Sequence, residues 1–147
     1  MVEDLEKQEE ELVLQNELQT HKNIQANHSY KLLELYAGYA KISINSEKSE
    51  SVDNNGTVYD GSIFSAANFC AMAAVNEKNT FLISAKVDFL NPIKNNDSEV
   101  IFEATATTNI SGKKNISVIA KVNDIITFSG DFVSRKLNNQ SLIKATK

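Results

Sequence analysis

The chain has 147 residues, the span of one ordinary domain, and with 41% of them hydrophobic it can bury a core, which excludes disorder throughout. Its 15 Lys and Arg against 19 Asp and Glu leave a formal charge of −4, a field that opposes a polyphosphate backbone and argues against nucleic acid as a partner. The single cysteine, Cys70, excludes an intrachain disulfide and a zinc site of the multi-cysteine type.

The first residues, Met1-Val2-Glu3-Asp4-Leu5-Glu6, are acidic where a signal peptide is basic and then apolar. No apolar run approaches the ~20 residues that a bilayer crossing needs, so the expected setting is soluble and cytoplasmic, with no membrane span. Residues 1–30 lack Gly and Pro and are rich in Glu, Gln and Leu, which favours a helical arm. Leu5 and Leu12 share a face while Leu14 and Leu18 lie nearly opposite, so no coiled-coil stripe forms. The arm reads as a solvated or loosely docked helix, with a protein partner or an embraced second subunit as the alternative. The main domain is expected over 31–137 and a polar tail over 138–147.

From Leu35 to Ile44 the pattern alternates as in a strand, and Gly38 within it predicts a bulge or a close backbone approach. Ser46 to Thr57 is a polar loop. Asp60 or Ser62 is then placed to cap a helix running to about Glu77, apolar nearly all round and rich in alanine (Ala66, Ala67, Ala71, Ala73 and Ala74). Such a helix needs enclosure, and small side chains let a sheet come close. Strand patterns follow at Phe81 to Leu90, Val100 to Thr107, Ile116 to Val122 and Ile126 to Phe132. Asn91-Pro92, Ser111-Gly112-Lys113-Lys114 and Asn123-Asp124 separate them. One long helix against an antiparallel sheet is an α+β layer arrangement. A ferredoxin-like fold would need a second helix between strands, and a Rossmann fold strand–helix alternation.

Three segments carry a family resemblance: Tyr59-Asp60-Gly61 opening the helix, Ala85-Lys86-Val87-Asp88-Phe89-Leu90-Asn91-Pro92-Ile93, and Thr127-Phe128-Ser129-Gly130-Asp131-Phe132. In this order they resemble the hotdog-fold thioesterase superfamily over about Gly56 to Leu137. The second is similar to the strand of phenylacetate-type thioesterases, and the whole run to the ligand-sensing domain of the malonyl-CoA-responsive repressor of lipid synthesis. The resemblance implies a hotdog fold: a long central helix wrapped by an antiparallel sheet. It also implies a homodimer, open to further assembly, whose continuous sheet joins two subunits through about Thr80 to Leu90. Acyl-CoA or another acyl thioester would bind at the interface beside the helix N-terminus, where free amides face the thioester oxygen. No further cofactor and no metal is implied. With the Asn- and Lys-rich usage typical of AT-rich bacterial genomes, the implied setting is bacterial fatty acid metabolism.

By the same resemblance the acyl-thioester site comprises Tyr59, Asp60, Gly61, Phe64, Asn68, Asp88 and Phe89, with Phe69 or Leu90 as further apolar lining. Phenylacetate-type thioesterases carry His-Gly-Gly in the turn and an aspartate one residue past two turns into the helix. Here the turn is Tyr59-Asp60-Gly61 and the matching helix residue is Asn68, whose amide can hydrogen-bond a carbonyl or hold a water but cannot act as base or nucleophile. The implied activity is binding without efficient hydrolysis, with a regulatory use in view. The alternative is a thioesterase whose candidate carboxylate is Asp60. The repressor's sensors place an arginine where this chain has Asp88, so a neutral acyl chain fits better than malonate. His21 and His28 lie in the arm, away from these motifs. Cys70 reads as an inert core thiol, and Lys113 and Lys114 as a solvated hairpin tip.

Overall fold

The computed structural model describes residues 16–97, 99–109 and 111–137. The first half of the arm and the tail of 138–147 therefore lie outside the described residues. In chain order the elements are α1 (Lys22–His28), β1 (Lys31–Tyr36), β2 (Tyr39–Asn45), α2 (Asp60–Val75), β3 (Thr80–Phe89), β4 (Glu99–Thr108), β5 (Lys114–Val122) and β6 (Ile125–Lys136). The six strands form one sheet in the order β1-β2-β4-β5-β6-β3, with every pairing antiparallel.

Alternation places the core. Ala40 and Ile42 of β2, Val100, Phe102 and Ala104 of β4, Ile116, Val118 and Ala120 of β5, and Phe128 and Phe132 of β6 are buried on one face. The helix α2 lies across that face and packs on all six strands. Ala66, Ala67, Ala71 and Ala73 are fully enclosed, because a methyl group lets the sheet backbone approach. Cys70 Sγ donates toward the carbonyls of Ala40 (3.5 Å) and Phe102 (3.6 Å), and burial pushes its thiol pKa upward. Gly130 is needed for space: a Cβ there would lie 2.8 Å from Phe132 and 2.9 Å from Val87.

Several elements differ from the sequence expectation. The strand expected from Leu35 to Ile44 is a hairpin of β1 and β2 that turns at Ala37-Gly38. Gly38 has φ +75° and its carbonyl accepts from the Ala106 amide at 2.8 Å, so the close approach is real but belongs to a turn. Neither Asp60 nor Ser62 caps α2. Tyr59 is the N-cap residue, without a side-chain cap bond, and Asp60 stands in the first turn, where its charge complements the helix dipole. The helix ends at Val75, against the expected end at about Glu77, with Asn76 as its C-cap in a left-handed conformation. Within the described part of the arm only Lys22–His28 is helical. The stretch before it straps the far end of α2: the Gln19 amide donates to Asn76 Oδ1 (2.7 Å) and Asn76 Nδ2 donates to the Glu17 carbonyl (2.9 Å).

The polar segment between β2 and α2 is pinned to the turn after β3. Asn95 Nδ2 donates to the Ser46 and Ser49 carbonyls, Ser51 Oγ donates to Asn95 Oδ1 (2.6 Å), and the Val58 amide donates to the Ile93 carbonyl (2.8 Å). These bonds fix the entry of the chain into α2.

Candidate functional site

The sheet does not close around α2. At 100° per residue Gly61, Phe64, Asn68 and Val75 share about 60° of arc, and these four are only partly buried whereas the opposite side is sealed. This stripe faces the gap between the two edges of the sheet. On one flank the Phe64 ring packs on Phe132, centroids 5.8 Å apart. On the other, Ser65 Oγ and the Tyr30 hydroxyl are 3.0 Å apart.

Asn68 is the polar group in the middle of the stripe. Its Oδ1 is buried and has no hydrogen-bond partner among the described residues. A buried unpaired amide oxygen costs about 1–3 kcal/mol, so it is not a neutral choice for an apolar helix face.

Beside the N-terminal half of the stripe opens a cleft of 560 Å³, lined by His28, Tyr30, Lys48, Tyr59, Gly61 and Ser65 among others. Its wall is built in layers: the His28 ring stacks on Tyr30 (5.2 Å, 15°), and Tyr30 leans on the buried Phe69 (5.1 Å). Burial raises the Tyr30 phenol pKa, so it remains a neutral hydroxyl that can donate or accept. The first helical amides, those of Asp60 and Gly61, have no acceptor within the helix and point toward this end. A Cβ on Gly61 would collide with the Tyr59 ring, which lies over the glycine and is 47% exposed. Only glycine lets that ring settle against the opening.

Gly61, Phe64 and Asn68 thus share one face of α2, with Tyr59 and Asp60 at its N-terminal end, and of these five Tyr59 and Gly61 line the cleft. Phe89 lies at the end of β3, 46% exposed, against Phe128 at 5.3 Å. Asp88 does not join them. It pairs in register with Ser129 and lies on the outer face of the sheet with Lys86, Ser117 and Asp131. Phe69 is a core ring, not an open lining residue, whereas Leu90 is exposed. His28 and Tyr30, in a segment that sequence reasoning kept apart from the motifs, line the cleft.

Among the described residues no hydrogen bond joins the His28 ring to Ser62 or Ser65, and no cluster of His, Cys, Asp and Glu could hold a metal ion. No described helix is long and apolar enough to cross a membrane.

Comparison with known proteins fixes the family. The chain is 30% identical to the HP0420 homologue of Helicobacter felis, covering 82% of this chain and 98% of that one with a TM-score of 0.74. It belongs to that protein's family. An uncharacterized protein of Pyrococcus horikoshii, PH1136, gives a TM-score of 0.76 at 28% identity, over 84% and 95% of the two chains. The hotdog fold is shared with a mutant of the phenylacetic acid degradation protein PaaI of Thermus thermophilus (TM-score 0.68, 16% identity, 79% and 100% covered). It is shared as well with smu.793 of Streptococcus mutans, solved bound to acetyl CoA (0.62, 10%, 71% and 86%). These hotdog neighbours do not support the finer likeness to a repressor's sensing domain. One curated relative, a methylthioribose-1-phosphate isomerase of Aquifex aeolicus, is 34% identical over 116 residues, and the chain spans 25% of its length. No protein-family model matches the chain.

Proposed function

We propose that this hotdog domain binds an acyl-CoA or related acyl thioester along the open stripe of α2, as a homodimer, and holds it without efficient hydrolysis. The observation that carries the reading is Asn68, a buried amide oxygen without a partner on an otherwise apolar stripe, two turns from a helix N-terminus. The acyl chain would follow Phe64 and Phe89, the thioester oxygen would meet the amides of Asp60 and Gly61, and the polar arm would leave through the cleft beside Tyr59 and Tyr30. The acetyl CoA bound to the Streptococcus mutans neighbour supports the ligand class.

An amide at position 68 has no proton to exchange in the useful range, so the reading is a holder, suited to sensing or carriage, in a bacterial acyl-lipid setting. The dimer is supported by β3, a ten-residue strand at the edge of the sheet on which Ile83, Ala85 and Phe89 stay exposed. Isomerisation is not part of this reading, since the match covers 25% of the relative that bears that name.

The test pairs two measurements on the purified protein with acyl-CoAs of graded chain length. Thermal unfolding should rise with ligand concentration, because a ligand of the native state stabilises it. Thiol release should stay at the uncatalysed rate. Thiol release well above that rate, abolished in Asp60→Asn, would establish the thioesterase alternative, for which the exposed Asp60 carboxylate at the helix mouth is the candidate group.

A further inference from the structure

We propose that Asn55 is a site of self-modification: the backbone amide of Gly56 attacks the Asn55 side-chain carboxamide, expels ammonia, and leaves aspartate or isoaspartate at this position of the folded protein. The inference stands apart from the acyl-thioester reading and needs no ligand. Asn55-Gly56 is the one Asn-Gly pair in the chain, and glycine, having no Cβ, is the successor that shields its own amide least. The pair forms the tip of the polar segment between β2 and α2. Leading up to it are the Ser51–Val58 bridge and then the Val52 amide, which donates to the Thr57 carbonyl (2.8 Å).

The electrophile is the Asn55 carboxamide carbon. Its Oδ1 accepts from the Thr57 amide (2.9 Å), which folds the side chain back over the intervening Gly56. The same bond draws electron density from the carbon, as a donor does for the oxyanion of acyl transfer. From the other side the Asn55 amide donates to Asp53 Oδ1 (2.9 Å) and holds the turn. The nucleophile is the Gly56 nitrogen. Among the described residues its N–H has no acceptor, whereas its carbonyl accepts from the Asn95 amide (2.8 Å), so the glycine is anchored on one side and free on the other. A Cβ on Gly56 would meet nothing within 4 Å, which leaves open space beside the attacking nitrogen. Asn55 is exposed and its Nδ2 has no partner among the described residues, so the leaving group departs into water.

Solvent hydroxide takes the Gly56 N–H proton and the nitrogen bonds to Asn55 Cγ. The Cγ–Nδ2 bond then breaks, Nδ2 taking a proton from water and leaving as ammonia. Water next adds to either carbonyl of the cyclic imide. Opening at Cγ gives aspartate, and opening at the backbone carbonyl gives isoaspartate, whose main chain runs through the side-chain methylene. That methylene lengthens the tip, where the Val52–Thr57 and Asn95–Gly56 bonds must absorb it. The bond nearest the cleft, from the Tyr59 amide to the Glu50 carbonyl (2.8 Å), lies beyond the Ser51–Val58 bridge. Other asparagines carry the same turn without the glycine. Asn45 Oδ1 accepts from the Glu47 amide (2.9 Å), but its successor Ser46 is fully buried. Asn109 Oδ1 accepts from the Ser111 and Lys113 amides (3.0 Å each), but its successor Ile110 is β-branched and shields its amide.

The test incubates the full chain at mildly alkaline pH, folded in buffer or unfolded in urea. Asn55 is followed by peptide mapping in the mass spectrometer, and isoaspartate by methyl labelling with an isoaspartyl methyltransferase. The folded chain should convert at Asn55 before any other asparagine and no more slowly than the unfolded one, because the turn already holds the reacting groups together. Conversion should quicken as pH rises, since hydroxide takes the proton. Gly56→Ala should lose the isoaspartyl label over the same period, and so should Asn55→Gln, which keeps the glycine and its backbone. A folded chain that retains Asn55 while the unfolded one loses it would overturn the inference. So would earlier conversion at Asn45 or Asn109, or a Gly56→Ala chain labelled as fast as its parent.

Discussion

The two sides of α2 differ in what they contact and in what they are made of. On the sealed side Ala66, Ala67, Cys70, Ala73 and Ala74 are fully enclosed against the sheet. On the open side Gly61, Phe64, Asn68 and Val75 are only partly buried, and an amide stands among them where those five residues bring only methyl groups and a thiol. The first arrangement maximises packing. The second keeps unsatisfied capacity, apolar and polar, at one end of a rigid element, which is how a binding site is distinguished from a core.

Substitutions on the two sides should therefore diverge. The largest effect is expected at the sheet face under the helix: Phe102→Ala should cost about 3–5 kcal/mol in denaturant unfolding, through lost burial and a cavity. Ala67→Leu should cost about 1–3 kcal/mol, because the fully enclosed methyl has no room for three more carbons, and a milder cost would mean the sealed side is looser than described. Tyr30→Phe removes the hydroxyl that meets Ser65 and should cost about 0.5–1.5 kcal/mol while altering ligand affinity more than stability. The smallest effect concerns the arm. Burial lowers the pKa of His21 below its ordinary 6.5, so the unfolded chain takes up the proton first and stability falls as pH drops through that region. His21→Gln should flatten the pH profile of thermal unfolding there.

Much of this contrast could be read from the chain. The alanine-rich helix announces its own enclosure, and the period-2 runs after it announce the sheet, because burial on one face repeats every second residue. The motif comparison placed Gly61, Phe64 and Asn68 on a common site, and helical spacing alone puts them on one stripe. Three features escaped. The β1–β2 hairpin turns at Ala37-Gly38 without Asn, Asp or Pro, and the alternation continues across the turn, so one strand was expected. The bulge in β3 between Leu82 and Ser84 leaves no composition signal, so the shift in how the strand's first residues pair with β6 was not legible. Tyr30 reaches Ser65 from 35 residues away and carries His28 with it, a juxtaposition that only tertiary packing creates.

The account turns on the open amide at the centre of the stripe, and calorimetric titration of acyl-CoA into the native protein and into Asn68→Leu tests it most directly. Saturable binding by the native chain, weakened about tenfold or more in a variant that is as stable as its parent without ligand, is the predicted result for a lost buried hydrogen bond. Equal affinity in the two proteins, or heat of dilution alone at every acyl length, would contradict it.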